Sequence, residues 1–383
     1  MHYRTPYQGG AIRSWLISKS LQQSGFECEI ITRHNHPTYR KQKIDDVVVH
    51  FLPVYYENHY GFLKRVFSFW KFNMLSWSLL KSLDTPDLLY AISTPLSTGI
   101  IARKYLKKKG VPYVFEVGDL WPEAPVQMGV LKAAWLIRRF RKMEIDTYRA
   151  AAGLVAMSPP IASHIQKLCV KANIITIPNL CDLSYFEMGK MEETAFQFFE
   201  NNRFIICYTG AMGKANGLER MLSEAAWLCE RDERVGFVVM GDGSEKERLL
   251  KAYGNLENVK FLPFASRDYV KDVLRSSHAV YISYKNIQVL ETGSPNKFFD
   301  GLAAGKLIIT NFGGWISDLI KENKCGIEVD PETPGDLQKK LEPWLADFET
   351  DQKVYGARSL KLAEAYRLET KVKELGEWLK GIK

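Results

Sequence analysis

Strand and helix signals alternate along the chain, break off near residue 180 and start again after residue 203, which predicts an α/β fold of two doubly wound lobes. Short apolar runs at 28–32, 47–54, 87–92, 112–117, 153–157 and 174–177 form the first series, and 204–208, 235–240, 259–264, 279–283 and 307–310 the second. Several lead straight into glycine-bearing turns, as at 118, 209–217 and 241–243. Turns at the carboxyl ends of parallel strands are where folds of this class bind ligands. The 383 residues, 46% of them hydrophobic, suffice for two cores at roughly 150 residues per domain. The expected division is 1–183 for the first lobe, 184–354 for the second and 355–383 for a C-terminal helix.

A formal net charge of +8 and a pI near 9.0 favour anionic partners: nucleic acid, an anionic membrane or an anionic ligand. No zinc-finger, RNA-recognition or arginine-rich pattern is present, so nucleic acid is set aside. The six cysteines are scattered without metal-ligand spacing and read as reduced core residues of a cytosolic protein. No signal peptide pattern and no uncharged run of about 18 residues occurs, and a cytoplasmic location is expected.

From the N-terminus, a doubly wound lobe normally opens with an apolar central strand, but residues 1–10 read MHYRTPYQGG and already form the turn. The expectation is a strand encoded about 10–15 residues upstream. Gly9 and Gly10 open a helix to about residue 24, with Ile12, Trp15, Leu16 and Leu21 at helical spacing. Residues 55–83 are dense in aromatics, and 58–83 carry basic residues and no acid. A helix of that kind suits an anionic membrane surface, while an aromatic stripe packed against the sheet is the alternative. A second basic helix, with Trp135, Arg138, Arg139, Arg141 and Lys142, adds to the membrane reading. The strand at 112–117 leads into Gly118-Asp119-Leu120-Trp121-Pro122-Glu123, where Asp119 is either a ligand-facing acid or a turn aspartate.

The densest concentration of chemistry is LETGSPNKFFDGLAAGKLIITN, residues 290–311. Ser294 and Pro295 fit a helix start, Ser at the N-cap and Pro at the first helical position, with the helix running to about Ala304 and stopping at Gly305. Open N–H groups at that start, with Gly293 admitting a close approach, suit a diphosphate. Lys297 in the first turn opposes the helix dipole unless an anion offsets it. Glu291 and Asp300 flank the same position and can accept bonds from sugar hydroxyls. An ordinary capped helix with a solvated Lys/Asp face is the other reading of this spacing.

The Ser294-Pro295-Asn296-Lys297 run, Asp300 ahead of Ala303-Ala304-Gly305, and the Asp-Leu-Trp-Pro-Glu loop resemble retaining glycosyltransferases of family 4, which have two Rossmann-like domains in the GT-B arrangement. The resemblance is to a bacterial surface-polysaccharide branch related to fucosamine transferases. Family members carry Glu, seven residues, then Glu. Asp300 takes the second place here, while Thr292 falls where the first is expected and Glu291 lies one residue early.

The resemblance implies a hexosyl transfer from a nucleotide diphosphate sugar, most plausibly a UDP-sugar, to a lipid-linked or saccharide acceptor of capsule or lipopolysaccharide type, with anomeric retention, on the inner face of the plasma membrane. Gly9, Gly10, Lys214 and the backbone from Gly293 through Ser294 and Pro295 to Asn296 would cradle the diphosphate, with Lys297 as its main cation. Phe264 and Ala265 would read the base through backbone atoms, Glu291 would hold sugar hydroxyls, Asp300 the ribose, and Asp119 the acceptor or its proton. No metal or other cofactor is expected, and the last helix would cross back to the first lobe. Two other classes share the architecture: a UDP-sugar 2-epimerase, and a non-catalytic nucleotide-sugar-binding scaffold.

Overall fold

The computed structural model describes residues 3–10, 12–57, 60–93, 95–187, 203–346 and 348–382. The stretch 188–202 of the linker expected over 180–204 lies outside the described residues. Strands of the first lobe are β1 (Glu29–His34), β2 (Arg40–Ile44), β3 (Val47–Pro53), β4 (Leu89–Ile92), β5 (Tyr113–Val117), β6 (Gly153–Ala156) and β7 (Ile174–Thr176). Those of the second are β8 (Phe204–Ala211), β9 (Val235–Asp242), β10 (Val259–Leu262), β11 (Ala279–Ile282), β12 (Leu307–Thr310) and β13 (Gly326–Glu328).

The second lobe is one parallel sheet of order β10-β9-β8-β11-β12-β13. Helices cover both faces, so its strands are continuous apolar runs whose alternate residues enter different cores. Ile205 and Cys207 pack with Val280, Ile308, Phe298 and Phe299 on one face. Phe204, Ile206 and Tyr208 pack with Met221, Leu222, Tyr281 and Leu337 on the other.

The first lobe divides into two sheets, β1-β3-β2 and β4-β5-β6-β7. β1 and β3 are parallel, and so is every pair from β4 to β7. Among the described residues no strand joins β1 to β4. β2 was not anticipated: it pairs antiparallel with β3 and is almost wholly exposed, so Arg-Lys-Gln-Lys-Ile carries no buried run to reveal it. Such charge on an edge strand also discourages further pairing.

The helix Arg13–Gln23 is fixed to the first lobe by a buried ionic cluster. Arg13 Nε and Nη2 donate to the two Glu116 carboxylate oxygens at 3.1 and 3.0 Å, and its guanidinium also reaches Pro178 O and Ile177 O at 2.6 and 2.8 Å. Tyr90 donates to the same carboxylate at 2.6 Å. Each guanidinium nitrogen and each carboxylate oxygen here has a partner, which is the condition under which a buried pair is tolerated.

The single helix expected near the C-terminus is two, Phe348–Glu364 and Leu368–Lys380. They break where the chain crosses between lobes: Cys181 N–H donates to Tyr366 O at 2.9 Å and Leu368 N–H to Cys181 O at 3.0 Å. Beyond the break, Leu368, Val372, Leu375 and Leu379 pack on Leu16, Leu21, Val114 and Val155 of the first lobe. Further bonds tie the lobes directly, Ser158 Oγ to Thr292 O at 2.6 Å and Val289 N–H to Gln127 Oε1 at 2.9 Å.

Arg13→Ala leaves the Glu116 carboxylate buried without its partner, and a loss of about 3–5 kcal/mol is expected in urea unfolding of the protein. The double substitution Arg13→Met, Glu116→Leu is expected to recover most of it, because no charge is then stranded.

Candidate active site

Lys297 lies in the first turn of the helix Asn296–Ala303, at the carboxyl ends of the second-lobe strands. The side chain runs against Gly210, the next-to-last residue of β8. Gly210 has φ +138°, and a Cβ there would sit 3.3 Å from Lys297 Cε and 3.4 Å from Nζ. Only a glycine leaves this room with an unstrained backbone. The ammonium sits 3.8 Å from the centroid of the Tyr208 ring and 6.0 Å from that of Tyr284. Lys297 is 9% exposed, and its Nζ has no hydrogen-bond partner among the described residues. Burial pulls its pKa down to about 7. A buried amine with three donors unused, facing aromatic rings, is a site set up for an anion.

The expected cap at Ser294 is corrected. The helix starts one residue later, at Asn296, with Pro295 at the N-cap and no side-chain capping bond. Ser294 Oγ instead accepts the Asn179 N–H at 2.9 Å, and Ser294 O accepts from Asn179 Nδ2. A partner from the other lobe outcompetes the local cap. Pro295 is buried and Asn296 exposed, so of this run Asn296 borders solvent most openly. Gly293 is held by Trp315, whose Nε1 donates to Gly293 O at 2.7 Å.

The acids separate. Glu291 is half-buried in the turn Gln288–Thr292, and its side chain lies against Gly314, where a Cβ would come within 2.9 Å of Glu291 Cβ. Gly314 has φ +84° and caps the helix Trp315–Asn323. Asp300 does not stand open: its Oδ1 accepts from Arg267 Nη2 at 3.1 Å, the two side chains being 15% and 10% exposed. Burial raises the Asp300 carboxyl above its ordinary value, and Arg267 pulls against that rise. Only part of the carboxylate is therefore left for a ligand. Asp119 is exposed at the end of β5, and after burial it is its charge that holds the Tyr284 phenol above the ordinary range. That places Asp119 on the same side of the molecule as Tyr284 and Lys297. Glu123 pairs with Arg141 at 2.7 Å.

The glycine turn of the first lobe meets the second lobe at Phe264 and Ala265. Gly9 is buried with φ +66°, and a Cβ on it would meet Ala265 O at 2.3 Å and the Phe264 ring at 3.1 Å. The Phe264 ring is exposed and lies beneath Arg4, at 5.8 Å. Gly10 is exposed beside it. Lys214 is exposed in the turn Lys214–Asn216, and Lys285 joins it there, its Cγ 3.0 Å from where a Gly217 Cβ would be.

Sequence reading did not single out Tyr208, Tyr284, Arg267, Trp315 or Lys285. Tyr208 lies inside β8 and reads as one of its core residues, and Tyr284 lies two residues past the end of β11. Nothing local announces Arg267 or Trp315, whose partners are distant in sequence.

Two family models match the chain, "Glycosyl transferase 4-like domain" over residues 8–179 and "Glycosyl transferases group 1" over 190–358. The chain belongs to the GT-B glycosyltransferases. WcaI of Escherichia coli (strain K12), described as a colanic acid biosynthesis glycosyl transferase, is 24% identical to this glycosyltransferase over 321 residues, 77% of this chain and 76% of WcaI. Among solved structures, the sucrose-phosphate synthase of Thermosynechococcus elongatus superposes with a TM-score of 0.78 at 14% identity, covering 97% of this chain and 94% of that one. Anabaena HepE in complex with UDP-glucose gives a TM-score of 0.66 at 13% identity, with 92% and 99% covered. WaaG, a glycosyltransferase involved in lipopolysaccharide biosynthesis, gives 0.66 at 13%, with 97% and 96% covered.

Because burial holds the Lys297 pKa near 7 and a bound diphosphate favours its charged form, UDP binding should take up a proton above that pH. Affinity is then expected to fall by up to about tenfold per unit as pH rises from 7.5 to 9. Calorimetry in buffers of different ionisation enthalpy measures the uptake, and Lys297→Met is expected to abolish it.

Proposed function

We propose that this glycosyltransferase moves a sugar from a UDP-sugar to a lipid-linked saccharide during surface polysaccharide synthesis, with retention at the anomeric carbon. The observation that carries the reading is the unpartnered Lys297 ammonium against Gly210 of β8. HepE, solved with UDP and with UDP-glucose, supports a uridine donor. The colanic acid biosynthesis named for WcaI and the lipopolysaccharide biosynthesis named for WaaG support a polysaccharide product. Membership of the fucosamine-transferase branch and anomeric retention rest on the resemblance of the Asp119–Glu123 and Ser294–Lys297 runs.

Glycosyl transfer leaves negative charge on the departing diphosphate, and preorganised donors aimed at that charge supply the largest part of catalysis. Lys297, the first N–H groups of Asn296–Ala303 and the Gly9-Gly10 turn take this task without a metal. Lys214, with Lys285 beside it, adds charge at the rim. Glu291 holds sugar hydroxyls, Asp300 offers the ribose the oxygen that Arg267 leaves open, and the Phe264–Ala265 backbone borders the base. Asp119 orients the acceptor hydroxyl or takes its proton.

An anionic membrane is the second partner in this reading, with the enzyme peripheral on the inner face of the plasma membrane. The aromatic helix Phe62–Leu80 is divided rather than buried: Ser68, Phe72 and Ser76 face inward, while Val66, Phe67, Trp70 and Met74 are exposed along one stripe. Trp135, Arg138, Arg139, Arg141 and Lys142 are exposed on the helix Ala134–Ala150. Among the described residues no helix is long and apolar enough to cross a membrane.

Lys297→Ala should lower turnover with a UDP-sugar by about a hundredfold; a near-normal rate removes it from the mechanism. In Asp300→Ala, UDP binding should weaken, and an unchanged Kd contradicts the ribose assignment. Charge reversal of Arg138, Arg139, Arg141 and Lys142 is expected to abolish sedimentation with anionic vesicles. Undiminished sedimentation would remove these residues from membrane binding.

A further inference from the structure

A cavity of about 320 Å³ opens at the carboxyl ends of β1 and β3, between the first-lobe glycine turn and Phe264 of the second lobe. Its polar lining consists almost wholly of donors. Arg4 and Arg33 bring two guanidiniums, and among the described residues no carboxylate lines it. Gln8 and Asn35 bring amides whose oxygens are already engaged by the protein. Gln8 Oε1 accepts the Thr5 N–H at 3.1 Å, and Asn35 Oδ1 accepts from Arg33 Nη1 at 2.7 Å and from the Tyr56 N–H at 3.0 Å. Their NH₂ groups are what remain for a ligand. Tyr3, Phe51 and Phe264 form the apolar walls.

Arg33 is half-buried and held in place, its guanidinium 5.0 Å from the Tyr56 ring centroid and bonded to Asn35. Burial first, and then the charge of Arg4, lower its pKa to about 10, against the opposing pull of Tyr56, Tyr60 and the Glu57 carboxylate. Two like charges kept close in a partly dry cavity repel each other, and an oxyanion between them reverses the sign of that term. The imidazole of His34 also borders the cavity, with Nε2 at 2.8 Å from Thr38 O.

We propose that this cavity is an oxyanion subsite for the acceptor, taking a phosphate or carboxylate group that the acceptor carries, with Arg33 as its principal ligand. The proposal rests on the glycosyltransferase reading above and adds the charge class of the second substrate. It places that charge on the first-lobe side of Phe264, whereas the donor's diphosphate belongs to Lys297 on the other lobe.

The test is calorimetric titration of the whole protein, saturated with UDP, with inorganic phosphate in one arm and glucuronate in the other. At least one of the two should bind at one site, which tells a phosphorylated from an acidic-sugar acceptor. Arg33→Gln is expected to weaken that binding by on the order of tenfold with UDP affinity unchanged, and Arg33→Lys to keep most of it. The proposal is overturned if neither anion binds the UDP-loaded protein, if UDP displaces the anion one for one, or if Arg33→Gln binds it as well as the parent. A circular dichroism spectrum matching the parent's confirms that the variant is folded. Failure of UDP itself to bind would instead sink the donor assignment, and anion binding to the UDP-free protein would still test the cavity.

Discussion

The organisation of the second lobe depends on where one ammonium group has been put. Lys297 lies almost out of water, over an aromatic face and tight against Gly210 near the end of β8. Desolvating a charge without pairing it costs free energy that packing elsewhere has to offset. Such a cost is sustained at a functional site when a ligand of opposite charge relieves it. The two flanking cores, each filled by alternate residues of β8, β9 and β11, hold Tyr208, Gly210 and the start of the Lys297 helix rigidly enough for this placement to persist.

Groups around that amine come from both lobes. Asn179 of the first lobe takes the hydroxyl and carbonyl of Ser294, and Ser158 reaches Thr292, so the loop ahead of Lys297 is shaped by residues outside its own domain. Trp315 fixes the carbonyl of Gly293 from the next helix. Glu291 is oriented by packing against Gly314 and Asp300 by an ion pair with Arg267, which leaves the two carboxylates in unlike surroundings. The one is half-buried against a glycine, the other a carboxylate already half engaged.

The fold was legible where burial imposes a pattern. Strands covered on both faces read as continuous apolar runs, and each of β8 to β12 stands where such a run occurs. β2 escaped because an edge strand of Arg, Lys and Gln buries almost nothing. The cap at Ser294 was misread for another reason: Ser followed by Pro is a sound local signal, but Asn179 supplies a stronger partner that no local window contains. At the site, residue types were readable and their environments were not. Lys297 could be picked out beside a helix start, whereas its burial under Tyr208 arises only when two strands and a helix are brought together. The aromatic stretch before residue 83 shows the same limit, since its pattern did not say that the helix would split into an inner and an outer face.

Both passages of the chain between the lobes run through one point, where Cys181 exchanges main-chain bonds with Tyr366 and Leu368. A pivot built from paired backbone resists sliding far more than bending. Any change in the angle between the halves would bend the chain at that point and would also have to break or carry along the Ser158–Thr292 and Asn179–Ser294 bonds. Among the described residues, the contact of the Gly9 turn with Ala265 involves no such paired backbone, so the two lobes can part there while the bonds at Cys181 stay whole.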